Sequence, residues 1–353
     1  MKFLKNVLLC GEQTDIGVED GLIASIGKTD AEGEDFGGAK IYPGLIDTHI
    51  HGCIGCDTMD EEDTLGKMSD FLLSRGTTSW CPTTMTVAYE DIIRTTKKNI
   101  NLSHGATILG FHLEGPFINP RFKGAQNPNH IFKPDISLIK SCDNVKKITI
   151  APELPGSRAF IGECEAVISL GHSDADYETA RGAFSAGVRC LSHTFNAMNG
   201  IHHRAPGPIL AAAENENVYA ELIADGTHVH PAVMKMLIKI MGEDRIVLVS
   251  DALSVLGMPD GEYKLGGLPI TLSGGVARTL DGNLAGSTST LLDCVRVLVK
   301  NGVAEEAAMR MASENPARLM GLNKGKIEVG YDADFIIVDS ELNLVKAIAR
   351  GEF

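Results

Sequence analysis

Through the middle of the chain, short apolar runs recur, each followed by a loop and then a stretch with helical spacing. The runs are LIDTHIHG from residue 45, TTSWCPTT from 77, TILGFHLEG from 107 and KKITIAPEL from 146. AVISLGHSD from 166, RCLSHTFNAM from 189, VYAELIADGTH from 218 and RIVLVSDAL from 245 complete the set. Amphipathic stretches such as EDTLGKMSDFLLSRG, DYETARGAFSAG and PAVMKMLIKIMG lie between them. Eight strand-then-helix units in about 270 residues predict an α/β chain folded as a (β/α)8, TIM-like barrel. A doubly wound sheet would instead open with a glycine-rich phosphate turn after its first strand, and none is present.

The two ends read differently. KNVLLC, TDIGVEDG and LIASIG at the start, and GKIEVGYDADFIIVD and LNLVKAIARG at the finish, are short strands punctuated by Gly and Asp turns. They predict a small, discontinuous β-sandwich domain from residues 1–44 and 322–353, flanking a barrel over 45–321.

Composition narrows the partners. With 353 residues and 44% hydrophobic content, the chain can bury a large core. Its 32 Lys and Arg stand against 46 Asp and Glu, a net charge of −14. Nucleic acid and anionic membranes both require a basic face, so neither is expected as a partner. A small anionic substrate remains compatible, because one or two cations in a pocket act locally. No run approaches the roughly 18 apolar residues of a membrane span, and the start MKFLKNVLLCGEQTD lacks a signal peptide's cleavage region. Eight cysteines without a spaced framework imply reduced thiols and a cytoplasmic location.

The apolar runs end on polar residues: His49 and His51, Thr83 and Thr84, Glu114, Glu153, His172, His193, Asp225 with His228, and Asp251. In a barrel these ends open onto one face, where the active sites of the fold lie. Strand residues i and i+2 share a face, so His49 and His51 aim together. Cys53 and Cys56 follow them beyond Gly52 and Gly55, and are expected to be ordinary thiols rather than ligands. A pair of His on the first strand, acids on the third and eighth, and single His on the fifth and sixth form a nitrogen and oxygen set. Such a set suits zinc, iron, manganese or cobalt rather than calcium. A metal there would acidify a bound water, the equipment of a hydrolase.

Longer stretches carry a resemblance. PGLIDTHIHG with ENPARLMGL and GKIEVGYDADFIIVD resembles the amidohydrolase superfamily. HLEGPFINPRFKGAQNPNHI, GHSDA, SHTFNAMNGIHHRAPG, IADGTHVHP, VSDAL and DGNLAGST are similar to its N-acetylglucosamine-6-phosphate deacetylase family. The resemblance covers essentially the whole chain. It implies a divalent metal, zinc or iron, one or two per subunit, held by Glu114, His172 and His193, with His49 and His51 as a second-metal pair. It implies Asp251 as the catalytic acid and base, and Arg204 and His228 as phosphate contacts. It places Asn196, Ala197, Ala125, Gln126 and Asp225 in substrate-binding loops, with Leu284, Ala285, Gly286 and Ser287. Where Gln126 stands, some members carry a carbonyl-polarising histidine, so that helper differs here. Many amidohydrolases bridge two metals with a carboxylated lysine; no lysine stands at a matching strand end, and Glu114 would serve instead. The implied reaction is deacetylation of N-acetylglucosamine 6-phosphate, or of its galactosamine epimer, by a homodimer. A barrel that binds a sugar phosphate without catalysis would lack Asp251 or a ligand, and all are present.

Overall fold

In the computed structural model, which describes residues 1–265 and 268–353, eight successive parallel strands form the barrel within a nine-stranded sheet, whose ninth member is the two-residue strand Thr107–Ile108. The eight are Leu45–Ile50, Thr77–Thr84, Phe111–Glu114, Val145–Ile150, Val167–Leu170, Cys190–Leu191, Tyr219–Leu222 and Ile246–Leu248, here called barrel strands one to eight. Each pairs with the next in parallel. The seam between strands eight and one closes beyond the strands themselves. There the Asp251 N–H donates to the His49 carbonyl, and the His51 N–H to the Ala252 carbonyl, both at 2.9 Å. All residues of strands one and two are buried, as a parallel sheet covered on both faces requires.

The helices bury the stripes that the spacing predicts. Pro231–Met241 buries Met234, Leu237, Ile238 and Met241, at i, i+3, i+4 and i+7. Leu291–Lys300 starts with a capping box, in which Thr290 and Asp293 satisfy each other's backbone N–H.

Both chain ends enter one seven-stranded sheet, with Phe335–Val338 antiparallel to Lys40–Pro43. Successive strand residues face opposite sides, and Phe335–Val338 uses both. Phe335 and Ile337 join Leu4, Val7 and Ile16 in a separate core, whereas Ile336 and Val338 pack into the barrel's core.

One element has no counterpart among the predicted ones. Between barrel strand eight and helix Leu291–Lys300 the chain forms a four-stranded antiparallel sheet: Gly261–Leu265, Leu268–Ser273, Val276–Thr279 and Leu284–Gly286. The alternation eBeB over Pro269–Leu272 is the period-two signal of a half-exposed strand. In sequence it is masked by the surrounding glycines. This sheet has its own core of Leu265, Ile270, Leu272 and Ala277 with Leu253 and Met85. Among the described residues, no helix is long and apolar enough to cross a membrane.

Candidate metal centre and cleft

The strand ends converge. His49 and His51 leave barrel strand one on the same face, and Glu114 ends strand three. His172, His193 and Asp251 stand just beyond strands five, six and eight. The last three take positive φ angles of 47°, 28° and 48°. Such backbone is costly for residues with a Cβ and persists only where the surroundings enforce it. Gly171 shows the crowding, since a Cβ there would lie 2.7 Å from the Ser192 Cβ.

Glu114 is the hub. Its Oε1 lies 2.9 Å from His193 Nε2, 3.1 Å from His172 Nε2 and 3.2 Å from His49 Nε2. Its Oε2 is 3.2 Å from His51 Nε2. Asp251 Oδ1 sits 3.3 Å from His51 Nε2 and 3.5 Å from His49 Nε2. All these side chains are buried.

The outer ring nitrogens explain the inner ones. His172 Nδ1 donates to the Phe122 carbonyl at 2.9 Å, and His193 Nδ1 to the Asn196 carbonyl at 3.1 Å. His49 Nδ1 lies 3.0 Å from Glu221 Oε2. With protons on Nδ1, the Nε2 lone pairs point inward. Lone pairs then face lone pairs: His172 Nε2 and His193 Nε2 are 3.1 Å apart, and His49 Nε2 has no hydrogen-bond partner. A cation resolves that conflict. Two overlapping sets of donor atoms, His49–His51–Glu114 and Glu114–His172–His193, each lie within 4.8 Å of one another. The residues therefore fit a divalent metal.

The electrostatics agree. Burial alone would raise the Glu114 carboxyl, but the surrounding His49, His172 and His193 imidazoles hold it well below the carboxylate range. Burial opposes ionisation of Asp251 too, and His49 and His51 outweigh it. Burial would likewise lower His51, yet hydrogen bonding to Asp251 and Glu114 raises it to about 10. The centre thus holds two carboxylates ionised and attracts positive charge.

A cleft of about 500 Å³ opens over this centre, lined by His51, Glu114, His172, His193 and Asp251. Ala125, Gln126, Asn196, Ala197 and His228 form its walls, and Leu284, Ala285 and Gly286 of the small four-stranded sheet cover one side. Asp225 acts through a neighbour: its Oδ2 is 2.7 Å from His228 Nδ1, which raises the His228 pKa against burial. Gln126 is fixed at both ends. Its oxygen accepts the Thr86 N–H at 2.7 Å, and its amide nitrogen donates to Glu114 Oε2.

Two residues read as substrate contacts lie elsewhere. Ser287 is buried, is not among the cleft's lining residues, and donates its backbone N–H to the Asp251 carbonyl at 2.9 Å. Arg204 is exposed, lies 2.8 Å from His203 Nε2 and lines a separate pocket with Tyr177 and Pro206. Glu153 accepts from Asn119, Ser173 and the Asp174 N–H, holding loops in place. Cys53 is buried and Cys56 half-buried, paired across a two-residue hairpin. Among the described residues, neither belongs to a group of candidate metal ligands.

Sequence reading missed Glu221 and Lys147, both fully buried inside the barrel and ion-paired with each other. A charge inside the apolar run VYAELIAD was the available signal. Lys147 was hidden in KKITI, where one of two adjacent lysines must face inward. It stands in mid-strand and does not contact the Glu114 carboxylate.

Comparison with known proteins follows the same lines. The amidohydrolase family model matches residues 41–352. The chain is 38% identical to N-acetylglucosamine-6-phosphate deacetylase of Lysinibacillus sphaericus, over 96% of this chain and 93% of that protein. It is 36% identical to N-acetylgalactosamine-6-phosphate deacetylase of Escherichia coli O157:H7, over 95% and 93%. Its fold is similar to a mutant N-acetyl-D-glucosamine-6-phosphate deacetylase of Mycobacterium smegmatis in complex with N-acetyl-D-glucosamine 6-phosphate. That match has a TM-score of 0.93 at 31% identity, covering 99% of this chain and 98% of the other.

Proposed function

The chain belongs to the amidohydrolase family, and on that premise we propose that it hydrolyses the N-acetyl amide of N-acetyl-D-glucosamine 6-phosphate. The products are acetate and D-glucosamine 6-phosphate. The observation that carries this reading is the position of Asp251, which borders both the imidazole-lined centre and the cleft.

Glu114, His172 and His193 would hold the principal divalent ion, zinc or iron, and His49, His51 and Glu114 a second. A bound ion supplies Lewis acidity, lowering the pKa of a water toward ~7 and polarising a carbonyl. Asp251, kept ionised by the neighbouring rings, accepts a proton from the attacking water. Water oxygen bonds to the acetyl carbon, the C–N bond breaks, and Asp251 returns the proton to the departing nitrogen. That return matters because an amine anion is a poor leaving group. Gln126 holds Glu114 through its amide and cannot supply the positive charge of a histidine. His228, braced by Asp225, offers a cation to the phosphate, while Asn196 and Ala197 contact the sugar.

Arg204 does not line its own subunit's cleft. We therefore read the enzyme as a homodimer in which each subunit's Arg204 reaches its neighbour's phosphate subsite. A guanidinium fork suits a phosphate dianion. Residues 45–321 would be the catalytic unit, with 1–44 and 322–353 as its β support.

The test measures acetate release from both N-acetylglucosamine and N-acetylgalactosamine 6-phosphates, beside metal analysis of the purified protein. Release from the glucosamine epimer at the higher kcat/KM supports the proposal. A preference for the galactosamine epimer would move the chain to the E. coli relative's specificity. Release from neither would sink the deacetylase reading.

A further inference from the structure

Glu221 lies on barrel strand seven, fully buried, and is not among the residues that line the cleft. Both of its oxygens are used. Oε2 faces two nitrogens, His49 Nδ1 at 3.0 Å and the backbone N–H of His193 at 3.1 Å. Oε1 faces the Nζ of Lys147, which is also fully buried on strand four and whose further partner is the Thr48 carbonyl at 3.4 Å.

We propose that Glu221, clamped by Lys147, is a positioning residue that keeps the proton on Nδ1 of His49. His49 Nε2 is thereby left as a bare lone pair aimed at Glu114 and at the His49–His51–Glu114 metal position. This rests on the metal-centre reading above and assigns that second position its supporting residue. The chemistry is one of acceptors. The Lys147 ammonium and the His193 backbone N–H only donate, and an ionised carboxylate only accepts, so the contact with the His49 ring requires the proton on Nδ1. A carboxylate satisfies them together, because both of its oxygens accept.

An amide does not. In Glu221→Gln the one oxygen is claimed by the Lys147 ammonium, so the NH2 faces His49 Nδ1. The ring answers by moving its proton to Nε2, where it can no longer bind a cation. Lys147→Met removes that claim. In the double variant Glu221→Gln, Lys147→Met, the amide can turn its oxygen to His49 and the His193 N–H and its NH2 toward the Thr48 carbonyl. The original tautomer returns.

Two readouts test this on the full chain. The first is the imidazole nitrogen–proton correlation spectrum of 15N-labelled, chelator-treated protein, with the His49 signals identified by their loss in His49→Asn. The second is zinc titration of the same protein against a competing chelator. The wild type should show His49 protonated at Nδ1 and bind two ions. Glu221→Gln should show the Nε2–H tautomer and weaken one of the two ions by roughly 10- to 100-fold, the usual effect of removing a ligand's supporting partner. The other ion should hold, and the double variant should recover both tautomer and affinity. A purely structural ion pair would change thermal stability without moving the tautomer or separating the two ions. The proposal is overturned by a wild-type His49 protonated at Nε2, by a single zinc equivalent, or by a double variant that fails to recover. The wild-type spectrum decides the matter even if the variants do not fold. Absence of acetate release by a two-zinc wild type would count against the deacetylase reading alone.

Discussion

Asp251→Asn separates proton transfer from every other task at this centre. Asp251 has a φ of 48°, a left-handed conformation that Asn adopts as readily as Asp. The backbone bonds from its N–H to the His49 carbonyl and to its own carbonyl from the Ser287 N–H do not involve the side chain. The shape and the seam therefore survive, and neither candidate metal group includes this residue. What is lost is a base that takes a proton from water and an acid that gives it to nitrogen. Each role is worth ~10²–10⁴-fold, and because both pass through one carboxyl the losses do not multiply freely. We expect kcat to fall by about 10²–10⁴-fold, equivalent to roughly 2.7–5.5 kcal/mol of barrier. KM for the sugar phosphate, metal content and melting temperature should stay near wild type. The assay is steady-state acetate release with metal analysis and a thermal melt on the same preparation. Retention of more than a tenth of the wild-type kcat would refute the role assigned to Asp251.

Arg204→Ala should reduce kcat/KM on the phosphorylated sugar by roughly 10- to 150-fold, the worth of a charge-assisted contact of about 1.5–3 kcal/mol, and hardly alter it on free N-acetylglucosamine. Mixing Arg204→Ala with Asp251→Asn subunits should restore part of the activity if the arginine acts across the dimer; no recovery would remove that arrangement. A Cys53→Ser, Cys56→Ser variant should keep its full metal content, and loss of one equivalent with intact folding would overturn their reading as plain thiols. Asp15 is buried against the Asn6 and Thr29 N–H groups and Lys5 Nζ, each at 2.9 Å. Burial raises its carboxyl, but these partners prevail and bring it from 3.8 to about 2. Its folded pKa is depressed, so its stabilisation is complete above pH 4 and vanishes as pH falls toward 2. Denaturant melts of Asp15→Asn should show a flatter acid limb between those values; an unchanged limb would show that Asp15 contributes nothing there.

Much of the centre was readable because it follows from two local rules. Apolar runs marked the strands, and strand ends in a barrel share one face, so His49, His51, Glu114, His172, His193 and Asp251 could be grouped from sequence. The i, i+2 rule separated the histidines from Cys53 and Cys56. Three things resisted. Lys147 follows another lysine, Lys146, and only strand register decides which of them enters the barrel. The four-stranded sheet over Gly261–Gly286 is rich in glycine and reads as loop, although it places Leu284 and Ala285 on the cleft. Arg204 sits in a motif that matches phosphate binding, yet its own subunit's cleft excludes it.

The seam through Asp251 and His49 also bears on how the molecule assembles. Its two sides lie about two hundred residues apart in the chain, so closing it costs loop entropy that neighbouring strands never meet. During synthesis, strands one to seven can pair in order while the sheet still has two open edges. Asp251 then arrives with the same hydrogen bonds that abolish those edges. Partly made chains would hold most of the imidazoles but not Asp251, and would expose strand edges open to intermolecular pairing. Completion of the centre and escape from aggregation come in one event, the docking of the residues after strand eight against the end of strand one.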